Sequence, residues 1–135
     1  MEGMRLLLSK FCEYACKQEN GRHTMVGLFD DIRVPSLPLE HPPFYLCLQL
    51  ELEALETGRD LNLEAVFSDE DGRELFRTQV NGPIPREAGP GQVKVFVQVG
   101  IAPMQLERPG VYRLDVFAEG RKLGEERVPV LVVGG

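Results

Sequence analysis

Apolar and polar residues alternate most regularly between Phe44 and Glu53. Phe44, Leu46, Leu48, Leu50 and Leu52 fall on one side of an extended chain, with Cys47, Gln49, Glu51 and Glu53 on the other. A period of two predicts a half-buried antiparallel strand. The pattern returns in Leu61, Leu63, Ala65 and Phe67, opposed by Asn62, Glu64 and Ser68. Val93, Val95, Val97 and Val99 repeat it against Lys94 and Gln98, and Tyr112, Leu114, Val116 and Ala118 repeat it once more. Val128, Val130 and Val132 line a last strand. Pro129 lies on its opposite face and has no N–H to give a ladder, which predicts an edge or a bulge there.

Residues 4–17 are ambiguous by period. Leu8, Phe11, Cys12, Ala15 and Cys16 would make a helical stripe, whereas Leu6, Leu8, Cys12, Tyr14 and Cys16 would share one face of a strand. The next residues break the tie. Asn20-Gly21 supplies the positive φ of a tight hairpin turn, and His23 to Phe29 is rich in β-formers, so 4–17 is predicted as the first strand of a hairpin. On that reading Tyr14 alternates with apolar neighbours and is buried.

The connecting segments are marked by proline and glycine. Asp30 to Pro43 carries Pro35, Pro38, Pro42 and Pro43 and reads as a loop; Asn81 to Gly91, with Pro83, Pro85 and Pro90, reads as a second. Between them, Ser68 to Arg73 is a polar turn around Gly72, and Glu74 to Val80 returns as a short strand. Ile101 to Arg108 crosses to Pro109-Gly110-Val111-Tyr112. A Pro-Gly just ahead of a tyrosine at the head of an alternating strand predicts a tyrosine corner, its hydroxyl bonded to the backbone upstream. Glu119 to Lys122 closes a final hairpin. The expected fold class is all-β: a two-sheet antiparallel sandwich of about eight strands, immunoglobulin-like, with its tyrosine corner at Tyr112. Residues 1–135 show no repeat, linker or composition break and read as one domain.

Composition narrows the function classes. The hydrophobic share of 43% suits a folded chain with a two-layer core. Asp and Glu number 21 against 15 Lys and Arg, a formal charge of −6. A net negative surface repels phosphate backbones and anionic lipid, so no nucleic-acid and no membrane partner is expected. The apolar run Leu6 to Leu8 is too short for an export signal, and Cys12, Cys16 and Cys47 are odd in number, so three reduced thiols in a cytoplasmic protein are expected.

Candidate chemistry is sparse. Cys12 and Cys16 would share a helix face and suit one zinc, but on a strand they stand roughly 13 Å apart, beyond any single metal. Cys47 with His23 or His41 is the remaining metal combination, against small hydrophobes or surface thiols as the plain alternative. A nucleophilic cysteine needs a base beside it, and Cys47 is separated from His41 by extended chain. Asp69, Asp71 and Glu74 around Gly72 have calcium-binding chemistry, but the spacing lacks the further acid of a full calcium loop, and a solvated hairpin tip explains the same residues with nothing added. Tyr45, on the polar side of its strand, is the one aromatic placed to stack a sugar. No Gly-x-Ser-x-Gly elbow, phosphate loop or His-Glu-x-x-His helix occurs. No residue is therefore assigned as catalytic, cofactor-binding or metal-ligating, and no cofactor is expected.

Cys12-Glu-Tyr-Ala15, Thr24-Met-Val-Gly-Leu-Phe-Asp-Asp-Ile32, Pro38 and Phe44-Tyr-Leu46 together resemble an uncharacterised family of small bacterial β-sandwich proteins, classed as a domain of unknown function. Members open on a Cys/Asp-Tyr-Ala strand and close on a Gly-x-Tyr strand, and Asp71-Gly72 and Gly110-Val111-Tyr112 fit the later parts. The resemblance implies a β-sandwich and a bacterial, cytoplasmic setting. It implies no catalytic or ligand residue. The expected function is a non-enzymatic binding or protein-interaction module that meets an unknown protein partner or associates with itself. Loops 34–43 and 81–92 are the expected contact surface. The competing expectation is a small-ligand carrier or enzyme with a loop-built site near His41 and Cys47.

Overall fold

A computed structural model describes residues 4–53, 58–84 and 92–134. Its strands are β1 (Met4–Lys17), β2 (His23–Phe29), β3 (Ile32–Val34), β4 (Leu39–His41), β5 (Phe44–Glu53), β6 (Asp60–Ser68), β7 (Glu74–Pro83), β8 (Gln92–Ile101), β9 (Met104–Leu106), β10 (Gly110–Ala118) and β11 (Arg121–Val132). They form one sheet in the order β2-β1-β5-β8, a second in the order β3-β11-β10-β6-β7, and a small pair β4-β9. The sandwich is all-β, with the immunoglobulin-like architecture expected from the alternation.

Three elements lie where loops were expected. β3 and β4 interrupt the segment Asp30 to Pro43, and β9 interrupts Ile101 to Arg108. Each is three residues long, too short to show a period, and each exists because a longer strand offers it a partner. β3 pairs with β11 in parallel, the one departure from antiparallel order among the described pairings, and β4 pairs with β9. β7 runs to Pro83, and Ile84 beyond it is buried, so the segment expected as a loop from Asn81 begins as strand. Residues 85–91 of that loop fall outside the described residues.

The core forms between the inward faces of the two sheets. Leu46, Leu48, Leu50 and Leu52 of β5 meet Leu61, Leu63 and Phe67 of β6 and Leu114 and Val116 of β10, all buried. Each such side chain contributes roughly 1.5–3 kcal/mol by leaving water. Phe11 sits at its aromatic centre, ring centroids 5.0 Å from Phe44 and 5.4 Å from Phe67, both edge-on. That position corrects the face expected for β1. Leu6 pairs with Leu50 but Leu8 pairs with Gln49, so a bulge inserts one residue and reverses the alternation beyond it. Met4, Leu6 and Phe11 point into the core; Cys12 and Tyr14 do not.

The tyrosine corner is as expected. Tyr112 Oη donates a 2.6 Å hydrogen bond to the carbonyl oxygen of Arg108, and its ring packs 5.6 Å from Phe67. Burial pushes the phenol up from its ordinary value. Gly110 holds φ +154° there, and a Cβ on it would clash with the Glu70 carboxylate oxygen that accepts from Val111 N. Pro129 pairs with Val111 just before β3 joins β11 at Val130, so its missing donor falls on a locally open edge.

Candidate functional site

The β1–β2 hairpin does more than extend a sheet. β2 and β8 are opposite edges of that sheet, three strand spacings or about 14 Å apart if it were flat. Yet the His23 ring of β2 stacks 4.1 Å from Phe96 of β8. The hairpin end therefore folds back over the outer face of its own sheet. Beneath it lies a second apolar cluster: Cys12, Ala15 and Cys47, all buried, with Met25, Tyr45 and Phe96 packed against them. Gln98 clasps it from β8, its amide nitrogen 3.0 Å from Cys16 O and 3.0 Å from His23 Nδ1. One amide hydrogen serves each acceptor, which requires Nδ1 of His23 to be unprotonated. Burial, aided by Lys17, lowers the His23 pKa in the same direction.

Gly27 marks the bend. It takes φ +69°, and a Cβ there would strike the Glu13 carboxyl group at 2.8 Å. The ladder nevertheless continues through it, since Cys12 pairs with Leu28 and Tyr14 with Val26 in one register.

Folding the hairpin back turns its other face outward. Tyr14 is 52% exposed, Val26 53% and Leu28 55%, and Tyr14 lies edge-on to Tyr45 with centroids 5.7 Å apart. The expected burial of Tyr14 is thus corrected: the bulge moves it off the core face, and the small cluster beneath the hairpin is filled by Ala15 and Met25. Among the described residues β2 is an edge strand paired only with β1. From His23 to Phe29 it carries no charge and no proline. The other edges of the two large sheets differ. β7 carries Glu74, Arg77 and Pro83, β8 carries Lys94, and β3 carries Arg33 with Pro35 just beyond. Charges and prolines are what keep strand edges from pairing with other chains.

The remaining expected positions resolve separately. Cys12 and Cys16 lie on a strand, as read, and Cys12 Sγ is 3.7 Å from Cys47 Sγ. Burial and the thiol contact push Cys47 up to about 12, which makes it a poor nucleophile. His41 is elsewhere, its Nδ1 donating to Pro42 O at 2.7 Å and its ring edge-on to Phe44 at 5.0 Å. His41 lines an open groove of about 540 Å³ with Phe29, Val34, Leu39 and Phe44. Cys47 does not line it, so the structure separates the two residues of the competing site. Asp69 Oδ1 accepts from the Asp71 and Arg73 amides, while Asp71 pairs with Arg108 and Glu74 with Arg77. Those carboxylates build the turn. Among the described residues no three His, Cys, Asp or Glu side chains gather as metal ligands, and no helix is long and apolar enough to cross a membrane.

Two packed sheets, this strand order and the corner at Tyr112 define an immunoglobulin-like β-sandwich. Residues 7–132 match a family of unknown function (DUF6941), and the chain belongs to that family. An immunoglobulin-like protein from Pseudomonas aeruginosa is similar over 94% of this chain and 95% of its own, at 16% identity and a TM-score of 0.43. The chain also matches 28% of an alkylpurine DNA glycosylase from Pseudomonas fluorescens, solved bound to DNA containing an abasic site analog. That match covers 76% of this chain at 15% identity and a TM-score of 0.42. A family 2 glycosyl hydrolase from Bacteroides cellulosilyticus matches over 80% of this chain and 16% of its own, at 12% identity and a TM-score of 0.40. Likeness at these identities concerns the fold, and no activity passes from these proteins to this chain. No curated protein matches the sequence.

Proposed function

We propose that the chain is a non-enzymatic protein-interaction module that docks through the folded-back β1–β2 hairpin. One observation carries this reading: an edge strand without charge or proline, bordered by exposed Tyr14, Val26 and Leu28. Such an edge offers an extended partner backbone hydrogen bonds along its length and apolar side chains on one face. The formal charge of −6 supports a protein partner over nucleic acid or an anionic membrane, and the odd number of cysteines supports a reducing, cytoplasmic setting.

The test compares two baits in extract of the native host: the wild-type chain and a Val26→Lys/Leu28→Lys double variant. The reading expects identified proteins, further copies of the chain included, that the wild type retains and the variant loses while its melting temperature is unchanged. Identical sets on both baits would overturn it. A second reading, a small-ligand carrier, draws on the groove beside His41, whose volume and lining, apolar residues with Glu13, Asp31 and Arg33 among them, suit a small molecule. Its mark would be a ligand lost on Leu39→Arg and kept on Val26→Lys.

A further inference from the structure

We propose that β2 pairs with β2 of a second copy of this chain, antiparallel, with Val26 on the two-fold axis. This rests on the reading of the hairpin as a docking surface and names its occupant. An uncharged open edge would accept many extended strands, so the occupant is argued from the strand's ends. β2 is preceded by Arg22 and followed by Asp30 and Asp31. Arg22 is exposed, and the Asp30 side chain is 80% exposed with Lys10 as its partner.

An antiparallel pair centred on Val26 sets Arg22 against the partner's Asp30, and Asp30 against the partner's Arg22. Opposite charges then meet twice. A parallel pair would set Arg22 against its own copy. Between the ends, Thr24 faces the partner's Leu28, and Met25 faces the partner's Gly27, which has no side chain to obstruct it. Val26 faces the partner's Val26. The outward apolar stripes of the two copies become continuous, from Tyr14 through Val26 to the partner's Tyr14. Directly opposed side chains of this kind stabilise an antiparallel ladder, and like charges at the same positions destabilise it. Because β2 keeps one register with β1 across Gly27, the bend inserts no extra residue into the joint ladder. The result is a symmetric, self-limiting dimer in which two four-stranded sheets become one.

Sedimentation velocity with light scattering, from micromolar to millimolar chain, tests the pairing. The wild type is expected to shift from monomer to dimer. Val26→Lys sets two ammonium groups against each other on the axis and is expected to stay monomeric, with an unchanged melting temperature because Val26 is exposed. Arg22→Asp and Asp30→Lys are each expected to weaken self-association on the order of tenfold through two like-charge contacts. An equimolar mixture of these two variants is expected to recover wild-type affinity as a mixed dimer, since both contacts are then opposite in sign. A wild type that stays monomeric overturns self-pairing and leaves the docking surface to be judged by the retained partners. A dimer indifferent to Val26→Lys, or a mixture that shows no recovery, overturns the β2 register.

Discussion

The tyrosine corner and the folded-back hairpin both fasten a stretch of chain to the sandwich, and they do so by opposite means. At the corner, donor and acceptor are four residues apart, Tyr112 and Arg108, and the ring that carries the donor is part of the main core. At the hairpin, Gln98 holds His23 and Cys16 across 75 and 82 residues, over a small cluster on the outside of a sheet. A local clasp inside the core shares the stability of the whole domain. A remote clasp over a satellite cluster opens in a free-energy range of its own, as elements with few buried contacts do. The hairpin is also where the apolar edge and the exposed stripe lie. The less tightly fixed region is the one proposed to meet a partner.

The sharpest way to break this comparison is to remove each clasp. Tyr112→Ala deletes a buried ring and its hydrogen bond and is expected to destabilise the domain by about 3–5 kcal/mol in denaturant unfolding. A loss confined to local opening near residue 110 would mean that the corner is no more global than the hairpin. Gln98→Ala is expected to cost about 1–2 kcal/mol, expressed locally. Amide exchange in residues 13–27 should quicken, and alkylation of Cys47 should accelerate from a very slow rate, while the main core keeps its protection. Uniformly faster exchange would show that the hairpin and the sandwich open together. Tyr112→Phe keeps the ring and removes only the hydroxyl bond, for about 1 kcal/mol. An unchanged melting temperature would detach the bond from the corner's stability.

The smallest effect is a pH dependence. His23 has a folded pKa below its ordinary value of 6.5, so the folded chain binds fewer protons at this site than the unfolded one. Its contribution is present above 6.5 and is lost as pH falls through the lower folded value. Protonated Nδ1 can no longer accept from Gln98. Acidification is therefore expected to speed exchange in the hairpin, with no matching change around Tyr112. A His23→Gln variant should show a flat profile. An equal acid response in that variant would remove His23 from the account.

Much of this was legible in order along the chain. Period-two alternation located β5, β6, β8 and β10, and Pro109-Gly110 before Tyr112 located the corner, because each signal involves neighbouring residues. The bulge between Leu6 and Leu8 was not legible: three successive leucines satisfy either phase of a strand, and only pairing with β5 chose between them. Tyr14 was misplaced for that reason. β3, β4 and β9 escaped notice because three residues carry no period and take their form from a partner.

The sequence by itself determined the sandwich and its corner, through local propensity and patterning. Tertiary structure alone decided that Cys12 faces Cys47, that His41 lies in a groove away from both, and that the first hairpin bends at Gly27 to close on Phe96 and Gln98. Those contacts join residues dozens of positions apart, and burial against a specific surface has no signature in the order of the residues that provide it. The open, uncharged edge of β2 belongs to both accounts. Its composition was written in the chain, and its exposure was fixed only when the hairpin folded back.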